Sequence, residues 1–398
     1  MTVGRMKIDV LTLMVAGSFL MTASAIILLA AWSQIRSPAL LWWASASFSN
    51  GFGVALLIYG IASGGPGFIL TAISINALSP AMVWAGARAF NRDRQIPLLL
   101  AAGPVLFVAF GAAAIGGASS FPLTLMSMVA WVAYLGAAIF ELWRGRKEGL
   151  SARWPLIAFM AVHAFIFFAG AVGSLQGEAF DGAIPAFTTM FSAIHFEALI
   201  YVIGTAIFMV LLCKQRSEAE HIFAARHDSM TGIVNRGAFL DTAKRILDRH
   251  REDAAAVALL MFDLDHFKRI NDTFGHSIGD EVIRTFTGTT LRVLRPNDLF
   301  GRYGGEEFAI VLPGATVEVA YAIGERIRHN FAAAAVTVDG REVNATVTGG
   351  IATAGIEDMS IEALLRRADR NLYRAKHLGR NRIEHDQSAS GARVMRIA

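Results

Sequence analysis

Residues 301–308 read Gly-Arg-Tyr-Gly-Gly-Glu-Glu-Phe, and residues 309–312 continue as Ala-Ile-Val-Leu. This pattern predicts a tight β-hairpin whose second strand is short, apolar and buried. Two adjacent glycines suit a turn with positive φ, and they let a ligand approach the backbone closely. We therefore expect a hairpin whose tip carries Glu306 and Glu307.

We expect a positively charged group beside the adjacent carboxylates of Glu306 and Glu307. Like charges that are buried together disfavour each other's ionised form. A hard divalent cation with oxygen ligands fits this need, and Mg²⁺ suits carboxylates that serve a phosphate substrate. By itself, however, the hairpin fits a solvated acidic turn equally well. The functional interpretation therefore depends on other motifs.

Charge divides the chain into two parts. The 398 residues have a mean hydropathy of +0.47 and only 17% charged side chains, which is too apolar for an ordinary soluble protein. Charged residues are sparse up to about residue 213 and dense afterwards. We expect an all-α helical membrane bundle over residues 1–213 and a soluble part after it.

Long apolar intervals predict seven membrane-spanning helices, because about 20 residues cross the hydrocarbon core. The interval 10–35 lacks charge and holds one span. The intervals 37–87 and 95–140 also lack charge, and glycine-rich turns divide each into two spans. The interval 154–213 is divided around residues 176–185. Its last residue, Cys213, is the only cysteine, which excludes an intrachain disulfide.

Basic residues alternate between the loops of the predicted bundle. Every second loop carries arginine or lysine, and the intervening loops carry none. Because cytoplasmic loops are enriched in these residues, the N-terminus is predicted outside and the soluble part inside the cell. The basic residues are Arg36, Arg88, Arg92, Arg94, Arg144, Arg146, Lys147 and Arg153.

Five polar residues fall at membrane depth: Asn50, Asn76, His163, His195 and Glu197. Ionisable groups inside a membrane are candidates for function, so the two histidines and the glutamate are candidates for signal binding. The alternative is that they are hydrogen-bonding contacts between helices.

Residues 214–227 have a helix-forming composition without glycine or proline and predict a helical signalling linker. Its apolar positions are too sparse for a self-sufficient coiled coil.

Residues 228–386 predict one α/β domain, a mixed sheet flanked by helices, because strand and helix patterns alternate. Besides the hairpin, the predicted strands are 256–262, 343–351 and 382–384. The predicted helices are 235–251, about 279–294, 317–333 and 360–377. The polar residues 387–398 predict a disordered tail.

Asp263 and Asp265 follow the first buried strand and face the same side, because side chains alternate along a strand. If this strand pairs with the hairpin, Asp263 meets Glu306 and Glu307 in a cage for two Mg²⁺ ions. Nearby basic residues suit a triphosphate, and no basic stripe of the kind that binds nucleic acid is present. These basic residues are Lys268, Lys376 and Arg380.

Four motifs now occur in a specific order. Residues 263–272 read Asp-Leu-Asp-His-Phe-Lys-Arg-Ile-Asn-Asp, and Gly275-His276 precede Gly279-Asp280. The Gly-Gly-Glu-Glu-Phe hairpin lies between an opening signature at 228–236 and a closing one at 368–381. Together they resemble the GGDEF-domain diguanylate cyclases over about residues 224–386. The membrane part resembles no named sensor.

The resemblance implies a palm-like fold related to nucleotide cyclases and polymerases. It implies the conversion of two GTP molecules into cyclic di-GMP and two pyrophosphates, with Mg²⁺ as cofactor and Mn²⁺ as an alternative. Because each domain binds one GTP, the reaction implies a homodimer with the two domains antiparallel. Localisation would be the inner membrane of a bacterial cell, as a multi-pass protein.

The resemblance also assigns roles to individual residues. Asp263, Glu307 and the Leu264 carbonyl would hold the metal, and Glu306 would be both a metal ligand and essential for catalysis. Asn271 and Asp280 would bind guanine. The triphosphate would contact Lys268, Lys376 and Arg380.

A further signature, Arg295-Pro296-Asn297-Asp298, precedes the hairpin at the spacing of the family's product-inhibition site. Arg295 and Asp298 would bind cyclic di-GMP, with Arg326 as a weaker candidate. The alternative is a helix-terminal ion pair.

Two other functions remain open. The domain could be a catalytically inactive, membrane-tethered receptor for cyclic di-GMP, although such receptors usually lack the intact acidic pair. The bundle could instead be a transporter, although it has no clear inverted repeat.

Overall fold

The computed structural model describes residues 10–92, 101–103, 105, 121–175, 189–252, 255–354 and 360–386. The chain divides into two compact units, Met1–Glu220 and His221–Ala398. The predicted disordered tail at 387–398 lies outside the described residues, as does most of the segment predicted to hold the fourth span.

The described part of the N-terminal unit consists of long helices. They are α1 (Val10–Ile35), α2 (Pro38–Ser63), α3 (Pro66–Phe90), α4 (Phe121–Arg144), α5 (Arg153–Leu175) and α6 (Thr189–Arg226). Within the described residues, five helical segments are long and apolar enough to cross a membrane, in α1, α2, α3, α5 and α6. The helical class is confirmed, and the count of seven spans stays a prediction.

Small residues and a tryptophan bring α2 and α3 together. The Trp43 ring is fully buried, and its Nε1 donates a hydrogen bond to the Val83 carbonyl at 3.1 Å. The ring lies over Gly86, where an added Cβ would come within 2.2 Å of Nε1. Glycine at this position therefore permits the close approach of the two helices.

The C-terminal unit is a six-stranded mixed sheet with helices on both faces, as predicted. Its spatial order is β1-β3-β4-β2-β7-β8, with antiparallel pairing in the middle and parallel pairing at both edges. The strands are β1 (Val234–Asn235), β2 (Val257–Leu264), β3 (Leu299–Arg302), β4 (Glu307–Pro313), β5 (Thr337–Val338), β6 (Arg341–Glu342), β7 (Val347–Thr353) and β8 (Ile383–His385). Strands β5 and β6 form a separate hairpin. The helices are α7 (Arg236–Glu252), α8 (Phe267–Phe274), α9 (His276–Leu291), α10 (Val317–Ala334) and α11 (Ile361–His377).

Strand β2 is the core of this unit, and all eight of its residues are buried. Alternate side chains face opposite helical layers, because the side-chain period of a strand is two. Leu260 and Phe262 pack in the cluster that contains α9 and α10. Leu259 and Met261 pack in the cluster that contains α7 and α11. Burial on both faces explains the uninterrupted apolar run at 256–262.

Three predicted boundaries were wrong. The helix predicted from about residue 279 begins at His276 and ends at Leu291, and α8 precedes it. The two helices are separated by Gly275, whose φ of +86° breaks the helical geometry. The strand predicted from residue 343 begins at Val347 instead. Asn344 has a φ of +52°, which interrupts the extended backbone.

Candidate functional site

The Asp263 strand pairs with the acidic hairpin, which meets the condition set in the sequence analysis. Strand β2 lies antiparallel between β4 and β7, and Asp263 is opposite Glu307 on one side and Thr348 on the other. The Leu264 N–H donates to the Glu306 carbonyl at 3.2 Å. The end of β2 and the hairpin turn are therefore joined by the backbone.

The predicted positive φ at the two glycines of the turn was wrong, because neither Gly304 nor Gly305 has it. At Gly304 an added Cβ would lie 2.4 Å from Glu307 Oε2, so a side chain there would displace the carboxylate. At Gly305 an added Cβ would meet nothing within 4 Å, which leaves that side of the turn open. The close approach of the Glu307 carboxylate, rather than a positive φ, therefore explains why residue 304 is glycine.

A lysine compensates the buried charge of Asp263. The Lys376 Nζ lies 2.8 Å from Asp263 Oδ2, and the Asp263 side chain is almost completely buried. Burial raises the pKa of Asp263, and the ion pair with Lys376 only partly opposes this effect. Burial also raises the pKa of Glu306, with a further contribution from the negative charge of Asp263. Two carboxyl groups here are thus harder to ionise than usual.

The predicted cage of three carboxylates is not assembled in the described residues. They contain no group of three His, Cys, Asp or Glu side chains placed to hold one metal ion. The ammonium group of Lys376 supplies positive charge beside Asp263 instead. Asp263 and Glu307 nevertheless remain cross-strand neighbours, with Glu306 next in sequence.

Lysine 376 reaches Asp263 because α11 lies directly on β7. An added Cβ at Gly350 would come within 2.2 Å of the Ala368 carbonyl oxygen and of the Leu372 nitrogen. Both atoms belong to the backbone of α11, so any larger residue would push this helix away. The position of Lys376 at the end of α11 thus depends on a glycine in the sheet.

Asp265 fixes the loop that follows α11. Its carboxylate accepts hydrogen bonds from the hydroxyls of Thr346 and Thr348 at 2.7 and 2.6 Å. It also accepts one from the Asn381 N–H at 3.2 Å. Arg380, in this loop, has a φ of +61°, and its charge slightly opposes the rise that burial causes in the pKa of Asp263. Asp265 therefore holds this loop in place through three hydrogen bonds.

A cavity of about 470 Å³ adjoins the hairpin turn. It brings together four residues that the sequence predicted for the site, and its lining includes Lys268, Asn271, Asp280 and Glu306. The Asn271 Oδ1 is buried and has no hydrogen-bond partner among the described residues. An unpaired buried acceptor is costly, and a ligand that donates a hydrogen bond would satisfy it.

Arg302 is a site residue that the sequence interpretation missed. Its Nη1 donates to both carboxylate oxygens of Asp228 at 3.0 and 3.1 Å, and its Nη2 donates to the Gly305 carbonyl at 2.7 Å. Burial acts to raise the pKa of Asp228, but hydrogen bonds from Thr231 and Arg302 outweigh it and lower this pKa. An arginine inside the hairpin motif, with an aspartate in the opening motif, was the available signal.

The predicted inhibition residues lie on the surface. Asp298 Oδ2 accepts a hydrogen bond from the backbone N–H of Arg295 at 2.7 Å. Arg326 Nη2 donates to the Val293 carbonyl, two residues before Arg295. In the described part of the chain the guanidinium of Arg295 forms no salt bridge, so the alternative of a helix-terminal ion pair is not observed.

Comparison with known proteins identifies the C-terminal unit. Residues 225–382 match the family described as "Diguanylate cyclase, GGDEF domain". Diguanylate cyclase DgcP of Pseudomonas aeruginosa is 40% identical over 157 residues, which is 39% of this chain and 23% of that protein. Response regulator PleD of Caulobacter vibrioides is 41% identical over 158 residues, 39% of this chain and 35% of that protein.

Two further comparisons concern the same part of the chain. Diguanylate cyclase DgcM of Escherichia coli K12 is 39% identical over 170 residues, which is 43% of this chain and 40% of that protein. The GGDEF domain of DgcB from Caulobacter crescentus, whose crystal structure was solved in complex with c-di-GMP, has 34% sequence identity to this chain. The two structures superpose with a TM-score of 0.39, and the match covers 40% of this chain and 93% of that chain. The chain thus spans only 23% to 40% of the length of these curated relatives.

Proposed function

Because residues 225–382 carry a GGDEF domain, we propose that this chain is a membrane-bound diguanylate cyclase. It condenses two GTP molecules into cyclic di-GMP and releases two pyrophosphates. The bundle anchors it in the inner membrane of a bacterial cell, with the N-terminus outside and the GGDEF domain in the cytoplasm. The alternation of basic loops supports this orientation.

The observation that carries the proposal is the cavity shared by Asn271, Asp280 and the acidic turn. Guanine presents hydrogen-bond donors at N1 and N2 on one edge, and adenine does not. Asn271 Oδ1 and the Asp280 carboxylate are acceptors, and the former lacks a protein partner. Lys268 lines the same cavity and supplies positive charge for a triphosphate.

The residues around Asp263 fit a hard divalent cation, because their donor atoms are carboxylate oxygens in a partly buried setting. Asp263, Glu306, Glu307 and the Leu264 carbonyl would hold Mg²⁺, or Mn²⁺ as the alternative. A bound metal supplies charge neutralisation at the phosphates and activation of the attacking hydroxyl. Lys376, which pairs with Asp263 in this structure, would bind a phosphate oxygen of the triphosphate, and Arg380 would contact the same triphosphate.

The two substrates meet across a homodimer, because each domain binds one GTP and each new bond joins two of them. The 3′-hydroxyl of one GTP attacks the α-phosphorus of the other in line, and pyrophosphate leaves. The protein contributes mainly positioning and charge stabilisation, as is general for phosphoryl transfer. Rearrangement of the dimer is the point at which the membrane unit controls the reaction.

Product inhibition uses the surface formed by Arg295, Asp298 and Arg326. Arg295 is exposed and its guanidinium has no salt bridge among the described residues, so it is available to a phosphate of cyclic di-GMP. A planar guanidinium binds phosphate in a bidentate manner.

The test is GTP turnover by the full chain in lipid nanodiscs with Mg²⁺, with cyclic di-GMP quantified by chromatography. We expect product from the native chain and none from Glu306→Gln, while Glu318→Gln, a change at an exposed helix position, retains activity. Absence of product from the native chain, together with tight cyclic di-GMP binding, would overturn the proposal in favour of the receptor function.

A further inference from the structure

The N-terminal unit contains a cavity that the proposed cyclase reaction does not use. It has a volume of about 220 Å³ and is lined mainly by apolar side chains of the helices. Four of the five polar residues noted at membrane depth line it: Asn50, Asn76, His163 and His195. Residues far apart in sequence thus converge on one space inside the apolar unit.

A buried ion-pair partner orients one wall of this cavity. His163 Nδ1 lies 2.6 Å from Glu197 Oε2, and His163 is 3% exposed. The imidazole stacks on the Tyr201 ring at 3.9 Å between centroids and lies 5.5 Å from the Trp131 ring. His163, Tyr201 and Trp131 all line the cavity, and Glu197 contacts His163 without lining it. This wall is therefore an aromatic surface with one fixed imidazole.

The polar groups of the cavity come from several helices. His163 Nδ1 is engaged with Glu197, which leaves Nε2 as the ring nitrogen available to a ligand. His163 lies on α5. Asn50 and Asn76 lie on α2 and α3, and the amide nitrogen of each can donate a hydrogen bond to a ligand oxygen.

Size and charge restrict the ligand further. The described lining residues include no Asp, Glu, Lys or Arg, so the cavity suits a neutral molecule. An engineered apolar cavity of about 150 Å³ binds benzene, so about 220 Å³ accommodates one ring with small substituents. A ring with two oxygens could accept from the imidazole with one oxygen and from an asparagine amide with the other.

We propose that this cavity binds the head group of a quinone dissolved in the bilayer. The ring packs on the aromatic wall, one ring oxygen accepts from His163 Nε2–H, and the other contacts the asparagine amides. The apolar remainder of the lining and the surrounding lipid hold the ring substituents. The proposal concerns binding by the membrane unit, and its test needs no cyclase activity.

The test compares two probes on the purified full chain in quinone-free nanodiscs. Duroquinone is the first, and durene, which has the same ring and methyl groups without the oxygens, is the second. Binding is measured as saturable quenching of tryptophan fluorescence, because Trp131 lines the cavity, and as a rise in unfolding temperature. We expect duroquinone to bind at least tenfold more tightly than durene, which corresponds to about 1.4 kcal/mol.

Two matched variants on one helix locate the site. Ala198 lines the cavity, and Ala193 is exposed on the same helix. Ala198→Leu fills the space without touching the polar groups and should abolish saturable binding, whereas Ala193→Leu should leave it unchanged. Equal binding of duroquinone and durene would overturn the proposal, because the oxygens would then contribute nothing. Linear quenching that is the same in both variants would also overturn it, because the probe would then only partition into lipid.

Discussion

Gly279→Ala should separate GTP binding from stability. Gly279 lies in α9, and a Cβ built there would come within 1.9 Å of Asn271 Oδ1 and 3.2 Å of the Phe267 ring. The added methyl group must therefore displace the Asn271 amide. That amide has no protein partner for its oxygen among the described residues, so moving it breaks no internal hydrogen bond of that atom.

The expected magnitudes have opposite signs. Replacing glycine by alanine inside a helix stabilises it by about 0.5–1 kcal/mol. An off-rotamer displacement of the asparagine costs about 0.5–1.5 kcal/mol, so the unfolding temperature should stay within a few degrees of the native value. Loss of the contact with guanine should cost about 1–2 kcal/mol in GTP binding, which raises KM roughly 5- to 30-fold.

The assay is steady-state release of pyrophosphate, measured with GTP and with ITP, which lacks the N2 amino group and would give the corresponding inosine cyclic dinucleotide. The matched control is Gly288→Ala in the same helix, where an added Cβ meets only Arg292 Nη1 at 4.0 Å. We expect this control to gain about 2–4 °C in unfolding temperature with unchanged kinetics. In Gly279→Ala, the preference for GTP over ITP should also shrink.

Equal KM values for the two alanine variants would refute the assignment of Asn271 to guanine. A large loss of stability in Gly279→Ala alone would refute the claim that the Asn271 amide moves freely. The loss would then come from a clash of the new methyl group with Phe267.

Three further changes test other parts of the molecule. Arg302→Met should lower the free energy of unfolding by about 2 kcal/mol and reduce kcat, because the Gly305 carbonyl and the Asp228 carboxylate lose a charged donor. Denaturant titration measures the first effect and GTP turnover the second. Glu306→Gln should abolish activity but raise the unfolding temperature at pH 7, because burial raises the pKa of Glu306 and the fold therefore disfavours its charge. The difference in unfolding temperature between this variant and the native chain should disappear as the pH falls through that raised pKa, because Glu306 is then protonated in the native chain as well. Arg295→Ala should leave initial rates unchanged and weaken inhibition by cyclic di-GMP at least tenfold.

Each of these changes has a control on the same unit. Arg245→Met and Glu318→Gln alter exposed helical residues, and Arg292→Ala alters an exposed arginine near the inhibition surface. An Arg302 variant as stable as the Arg245 variant would contradict the role of its contacts. A Glu306 variant less stable than the native chain at pH 7 would contradict the direction of the pKa shift. Unchanged inhibition in Arg295→Ala would contradict the proposed inhibition surface.

The strand at 256–262 and the hairpin strand could be predicted because an apolar run between polar ends identifies a strand without knowledge of its neighbours. Their pairing could only be assumed from the sequence, because the register between distant strands depends on tertiary contacts. The convergence of Lys268, Asn271, Asp280 and Glu306 on one cavity follows from the same motifs.

Other features depended on contacts that no local pattern encodes. The ion pair of Lys376 with Asp263 joins residues 113 positions apart and is set by the approach of α11 to Gly350. The turn at Gly304 was predicted from the usual preference of glycine for positive φ, whereas its cause is the nearby Glu307 carboxylate. Helix α8 is only eight residues long, too short for periodicity to separate it from a loop.

The contacts of Arg302 have a consequence for how such chains are assembled. Helix α6 ends at Arg226, and Asp228, two residues later, holds the arginine that contacts the Gly305 carbonyl. A twist or shift at the end of that helix therefore acts on the acidic turn through two consecutive contacts, from Asp228 to Arg302 and from Arg302 to the Gly305 carbonyl. We expect the GGDEF domain to accept interchangeable input modules, provided that each ends in a helix with the same phase relative to Asp228. Inserting one residue between Arg226 and Asp228 should abolish control of the GGDEF domain by the upstream helix more completely than replacing the membrane bundle does.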